Sequence, residues 1–159
     1  MRSFHFTLAS VTVGALAPLI TQAQMVGNAV VLNHCPSDIY AWSVGSSIGP
    51  SQTIVSGQNY SETYHSDPVS GGITIKLTRQ PEGLTNGSPQ MQFAYSLTND
   101  SIWYDLSDVF GDPFNGNSVD LQPSDHSCLP ITWPAGVPPS GPDKVGVCGS
   151  PANVVLTVC

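Results

Sequence analysis

Three carboxylates, Asp105, Asp108 and Asp112, fall within a short stretch, "SIWYDLSDVFGDPFNG" (residues 101–116). Trp103, Tyr104, Phe110 and Phe114 surround them. Acids this close together can do three kinds of work. Converging oxygens can hold Ca2+, but the spacing departs from the D-x-[DN]-x-[DN]-G-x5-E loop, so a cation would be wrapped less regularly. Two carboxyls facing each other at about 5.5 Å or about 6.5–9.5 Å, one kept protonated by its surroundings, can cleave a glycosidic bond. The third role is structural. Asp108 fits the cap of a short turn, and Asp112 precedes Pro113 in the turn-forming "GDPF". The pattern favours structure, with ligand binding second and catalysis third, and Asp112 is expected to accept backbone N–H groups.

The remaining chemistry-bearing residues are sparser. Trp103 and Tyr104 are adjacent on a strand-like run, so they point to opposite faces and one of them stands outward beside the acids. An exposed aromatic there can stack on a sugar. The candidate ligand surface is therefore Trp103 or Tyr104 with Asp105, Asp108 and Asp112. Trp42 lies in an alternating run and reads as core. His34, His65 and His126 are scattered with no metal-ligand spacing. There is no G-x-S-x-G elbow, phosphate loop or dinucleotide fingerprint. No catalytic residue, metal or cofactor is assigned.

The chain opens with Arg2, an uncharged apolar run over residues 8–20 and "TQA", the order of a secretory leader. Residues 1–23 are assigned to a signal peptide and residues 24–159 to a single domain. A membrane span needs roughly 20 apolar residues, more than this run supplies. Beyond the leader, only Lys76, Arg79 and Lys144 are basic, against eleven Asp and Glu. Nucleic-acid affinity rests on neutralising phosphates with Lys and Arg, so this balance excludes it. Attachment to anionic lipid is excluded for the same reason.

All four cysteines follow the leader, and in an exported protein they read as two disulfides with three possible connectivities. Cys35–Cys159 with Cys128–Cys148 is preferred. The segment 129–147 is so rich in Pro and Gly that it can bury little, and a local clasp would fix it. Three sequons, at Asn59, Asn86 and Asn99, lie in turn-like contexts suited to exposed glycosylation.

Strand-like runs cover residues 28–33, 38–44, 72–79, 90–98, 101–106, 118–122 and 153–159, with Val, Ile, Thr, Tyr and Phe near period two. "TNDS" between the fourth and fifth reads as a hairpin connection. The segment 129–147 reads as a disulfide-bounded loop. Many short strands with no helical stripe give an all-β sandwich of mainly antiparallel strands.

Several stretches resemble one family. "VGNAVVLNHCPSDIYAWSVGSSIGPSQTI", "DPVSGGITIKLTR", "SPQMQFAYSL", "IWYDLSDVFGDPF" and "VVLTVC" are similar to the small fungal antigenic thaumatin-like proteins, the Blastomyces yeast-phase-specific protein family. The resemblance implies a secreted thaumatin-like β-sandwich at the cell surface or in the medium, and its first and terminal cysteines match Cys35 and Cys159. No reaction is common to that family. "YDLSDVFGDPFN" also resembles the "YDxSxVxGFN" strand of the wider thaumatin group, whose plant members have an acidic cleft linked to β-1,3-glucan. That match carries over Asp105 alone. The expectation is a monomeric, non-enzymatic extracellular protein that binds neutral cell-wall polysaccharide or a host protein. A weak β-1,3-glucan hydrolase is the alternative, and a host-interacting effector or antigen is another.

Overall fold

The computed structural model describes residues 25–159, and all regular structure among them is β-strand. The leader expected over residues 1–23 lies outside the described residues. Five strands make one sheet: β1 (Asn28–Asn33), β4 (Asn59–Thr63), β8 (Val119–Pro123), β9 (Ile131–Trp133) and β11 (Val154–Val158), in the order β4-β1-β11-β8-β9. Six make the other: β2 (Ile39–Val44), β3 (Gln52–Ile54), β5 (Ile73–Thr78), β6 (Gln90–Leu97), β7 (Ser101–Val109) and β10 (Val145–Gly149), ordered β10-β7-β6-β5-β2-β3. The paired strands run antiparallel apart from β1 and β11, which are parallel.

Alternation sets which side chains meet between the sheets. Ala29, Val31, Val154, Leu156 and Val158 face inward from one sheet, and Ile75, Leu77, Phe93, Ile102 and Tyr104 face them from the other. Each large apolar side chain fully buried this way contributes roughly 1.5–3 kcal/mol. The hairpin at "TNDS" closes with Thr98 N–H donating to the Ser101 carbonyl at 2.9 Å.

Four strands escape the periodicity reading. β3 and β4 are short edge strands whose side chains are mostly exposed, so backbone pairing rather than burial holds them. β9 and β10 fall in or at the end of the Pro- and Gly-rich segment expected to be a loop. That segment does bury surface: Ile131 and Trp133 are buried, and the exposed Pro138, Pro139 and Pro142 line a narrow slit beside them. Gly146 is required for β10 to sit beside β7. A Cβ there would come within 2.2 Å of the Tyr104 ring, which lies across it. Tyr104 then donates its hydroxyl to the Leu129 carbonyl at 2.6 Å, so the glycine, the ring and the loop lock together.

The cysteines pair as Cys35–Cys159 and Cys128–Cys148. The first bond lies just past the end of the β1/β11 register, where Asn33 faces Val158. Buried Asn33 prepares it: Nδ2 donates to the Ser37 and Ile54 carbonyls, and Oδ1 accepts from the Cys35 N–H. The second bond ties β10 of one sheet to the β8–β9 connection of the other. In the chain-entropy model, loops of roughly 15 and 100 residues contribute about 3 and 4.7 kcal/mol respectively.

Gly146→Ala is expected to lower stability by about 1–3 kcal/mol, because the ring must move or the strand must shift. Val145→Thr, on the exposed face of the same strand, should stay within about 0.5 kcal/mol of the parent. Urea unfolding followed by tryptophan fluorescence checks both.

Candidate functional site

β7 sorts the residues that were grouped by sequence. Ile102, Tyr104 and Leu106 point inward and Trp103, Asp105 and Ser107 outward. Tyr104 therefore belongs to the core, and Trp103 is the outward aromatic, 48% exposed. Asp108 continues the inward series, opposite Met91 in the register. The chain then reverses through Phe110 and Gly111, both with left-handed backbone (φ 60° and 110°), before reaching Asp112.

The three acids consequently meet three environments. Both carboxylate oxygens of Asp108 are buried and no hydrogen-bond donor reaches them. Burial, followed by the adjacent Asp112 carboxyl, pushes the Asp108 pKa up to about 8. Asp108 thus favours its protonated form at neutral pH, with the Asp112 side chain as its neighbour. It caps no turn, contrary to the sequence reading. Asp112 takes part in a turn through its backbone carbonyl, which accepts from Asn115 N–H at 3.3 Å. Side-chain anchoring of backbone amides, expected of Asp112, occurs instead at Asp67 and Asp125. Asp67 accepts from the amides of Ser46, Val69 and Ser70 and from the Ser46 hydroxyl, and these bonds hold its carboxyl far below the usual range. Asp125 accepts from the amide and hydroxyl of Ser127.

Asp105 is half-buried on the outer face between Ala94 and Val145. Burial and then the Asp143 carboxylate raise its pKa. The outer face around it has a distinct make-up. One row across the strands reads Val147, Trp103, Ser96, and the next reads Val145, Asp105, Ala94, Thr74, Val44. Trp103, Val145 and Val147 are large hydrophobic side chains left about half exposed. Beside them, Gly72, Thr74, Ala94 and Ser96 line a shallow depression. Small side chains leave the space, and Trp103 is the cross-strand neighbour of Ser96, one of its lining residues. Trp42 also points to this outer face, yet it is buried. Ile48, Gly49, Pro81 and Leu84 crowd around it from two loops.

A second polar group was not anticipated from the sequence. Glu62, on the edge strand β4, accepts the Tyr60 hydroxyl at 2.5 Å and the Tyr95 hydroxyl at 2.6 Å. Tyr95 comes from the opposite sheet, and its oxygen lies 3.2 Å from His65 Nδ1. Burial and the Glu62 carboxylate push both tyrosine hydroxyls well above their ordinary range, so they remain neutral donors. Charge-assisted bonds of this kind are stronger than neutral ones and here clamp the open seam of the sandwich. Its signal in sequence is only "NYSETYH", whose meaning depends on Tyr95 far along the chain.

The sequon residues Asn59, Asn86 and Asn99 are all exposed. Asn86 Oδ1 accepts from both the amide and the hydroxyl of Ser88. Among the described residues, Asp125 with Cys128 and Cys148 has the spacing of a metal site, but those sulfurs are bonded to each other and supply no thiolates.

The Blastomyces yeast-phase-specific protein family matches residues 16–159 of the chain. An antigenic thaumatin-like protein of Arthroderma benhamiae is 35% identical over 137 residues, covering 84% of this chain and 68% of that one. The secreted thaumatin-like protein calA of Emericella nidulans is 30% identical over 137 residues, covering 84% and 77%. Among solved structures, the protein elicitor MoHrip2 from Magnaporthe oryzae matches with a TM-score of 0.69 and 29% identity, covering 84% of this chain and 98% of that one. The sandwich is of the thaumatin-like type.

The carboxyl pair gives a pH dependence of defined sign. A folded-state pKa of about 8 at Asp108 lies above the ordinary 3.8, so the folded form holds an extra proton between these values. Stability from this group is therefore lost as pH rises through that window. Asp108→Asn, which keeps a donor toward Asp112 without a charge, should remove that loss. At pH 8 the variant should be more stable than the parent by about 1–3 kcal/mol, and the gap should be much smaller at pH 5. Urea unfolding at the two pH values reads it.

Proposed function

This chain belongs to the Blastomyces yeast-phase-specific protein family, and from that premise we propose an extracellular fungal protein that acts by binding, not catalysis. The contact surface is the outer face of the six-stranded sheet around Trp103, and the ligand class is neutral cell-wall polysaccharide. One observation carries this reading: an indole 48% exposed beside two half-exposed valines and a floor of small residues. A sugar ring offers an apolar face to an indole, an interaction on the order of 1 kcal/mol, while Ser96, Thr74 and Asp105 offer hydroxyl and carboxylate partners. The scarcity of Lys and Arg fits a neutral ligand better than an anionic one. A relative named as secreted supports the extracellular location.

A second reading assigns the same face to a host component, supported by the similarity to the protein elicitor MoHrip2. The hydrolase alternative would rest on Asp105 with Asp143. It gains nothing from Asp108, whose oxygens are sealed from solvent.

Co-sedimentation with insoluble β-glucan and with chitin tests the polysaccharide reading. The parent should pellet with at least one of them, and Trp103→Ala should lose about tenfold in affinity, a difference of about 1.4 kcal/mol. Protein that stays wholly in the supernatant with both solids refutes the polysaccharide ligand. Asp105→Asn separates the hydrolase alternative: any reducing sugar released from laminarin should be unchanged in this variant if Asp105 is not a catalyst.

A further inference from the structure

The two disulfides have side chains of opposite charge beside them. Arg79, on the segment that follows β5, points Nη1 at the Cys35–Cys159 bond, 3.5 Å from Cys35 Sγ and 3.7 Å from Cys159 Sγ. Its guanidinium is held there from two further sides. Nη2 donates to Ser37 Oγ at 3.0 Å, and the cation lies 5.9 Å from the centre of the buried Phe114 ring. The Cys128–Cys148 bond has an acid for a neighbour instead. A carboxylate oxygen of Asp125 lies within 4.8 Å of both sulfurs. Hydrogen bonds from Ser127 lower the Asp125 pKa and so keep that carboxylate charged.

We propose that Cys35–Cys159 is a site of thiol–disulfide exchange with low-molecular-weight thiols, activated by Arg79, and that Cys128–Cys148 is the inert bond. Exchange proceeds by attack of a thiolate on one sulfur while the other leaves as a thiolate, and it quickens as the leaving thiolate is stabilised. A cation beside the leaving sulfur favours thiolate over thiol, and an anion opposes it. Cys159 keeps partial solvent exposure whereas Cys35 is fully buried, so attack falls on Cys159. An incoming RS− forms an S–S bond with Cys159 Sγ as the Cys35–Cys159 bond breaks. The electron pair leaves on Cys35 Sγ, against the Arg79 guanidinium. A second RS− then attacks the mixed disulfide, releasing RSSR and the Cys159 thiolate. Overall the protein bond is reduced by two electrons and two thiols are oxidised to one disulfide. β11 is hydrogen-bonded to β1 and β8 on either side, pairing that holds the two cysteines together independently of the bond.

The test uses the folded, oxidised protein with 2-mercaptoethanol at pH 8 and no denaturant. Acid quenching, alkylation and mass spectrometry of peptic peptides then score each bond over time. Cys35–Cys159 should open about tenfold faster than Cys128–Cys148, with a mixed disulfide on Cys159 as the first product. Arg79→Gln should slow that opening about tenfold, and Arg79→Lys should recover most of the rate. Opening of Cys128–Cys148 first overturns the proposal, as does an Arg79→Gln rate equal to or above that of the parent. If Arg79→Gln does not fold, Asp125→Asn carries the test. It should speed opening of Cys128–Cys148 about threefold, and no acceleration would overturn the electrostatic assignment.

Discussion

The last strand has to reach the middle of a sheet. β11 lies between β1 and β8, parallel to the first strand of the sandwich and antiparallel to a strand from late in the chain. The five-stranded sheet therefore closes through a pairing between strands more than a hundred residues apart. Such a contact must overcome the loop-closure entropy of the intervening chain. Cys35–Cys159 removes much of that cost by joining the ends of the two strands covalently, and the fully satisfied side chain of Asn33 shapes the loop that presents Cys35. The guanidinium of Arg79 lies over this same bond, so the clamp and its reactivity share one location.

The six-stranded sheet is built differently. β5, β6 and β7 are consecutive antiparallel neighbours, which places most of its outer face under local control. What local order leaves open is how the edges are finished. β10 attaches at one edge only because Gly146 gives way to Tyr104, and the second disulfide draws that edge toward the other sheet. With β10 in place, Val145 and Val147 stand beside Trp103, and an isolated exposed aromatic becomes a patch. Polar chemistry has been sorted in the same operation. The Glu62–Tyr60–Tyr95 cluster closes the seam between the sheets, and Asp108 is withdrawn beneath the turn that carries Asp112.

The sequence was legible wherever a residue's fate depended on its immediate neighbours. Seven strands with alternating apolar residues formed where expected, and the hairpin between β6 and β7 closed at "TNDS". Adjacent Trp103 and Tyr104 went to opposite faces because a pleated strand permits nothing else. The sequence was silent where the partner was remote. β3 and β4 are too polar to announce themselves, and the prolines and glycines of residues 129–147 disguised two strands whose stability comes from β7 and β8. Asp67 and Asp112 both precede proline, yet only Asp67 has its carboxylate saturated by backbone amides. Nothing in either dipeptide distinguishes them. Asp112 instead has the Asp108 carboxyl as its neighbour.

Composition and pattern by themselves determined an all-β, acidic chain whose four cysteines suit an oxidising compartment, because charge balance and the period of two are properties of the linear order. They could not say which of three clustered acids would face water. That was decided by the sandwich, since burial is a property of position between two sheets. The same "DLSDVFGD" placed Asp105 on an open face, sealed Asp108 from solvent and left Asp112 at a turn once the strand alternated and then reversed at Phe110 and Gly111.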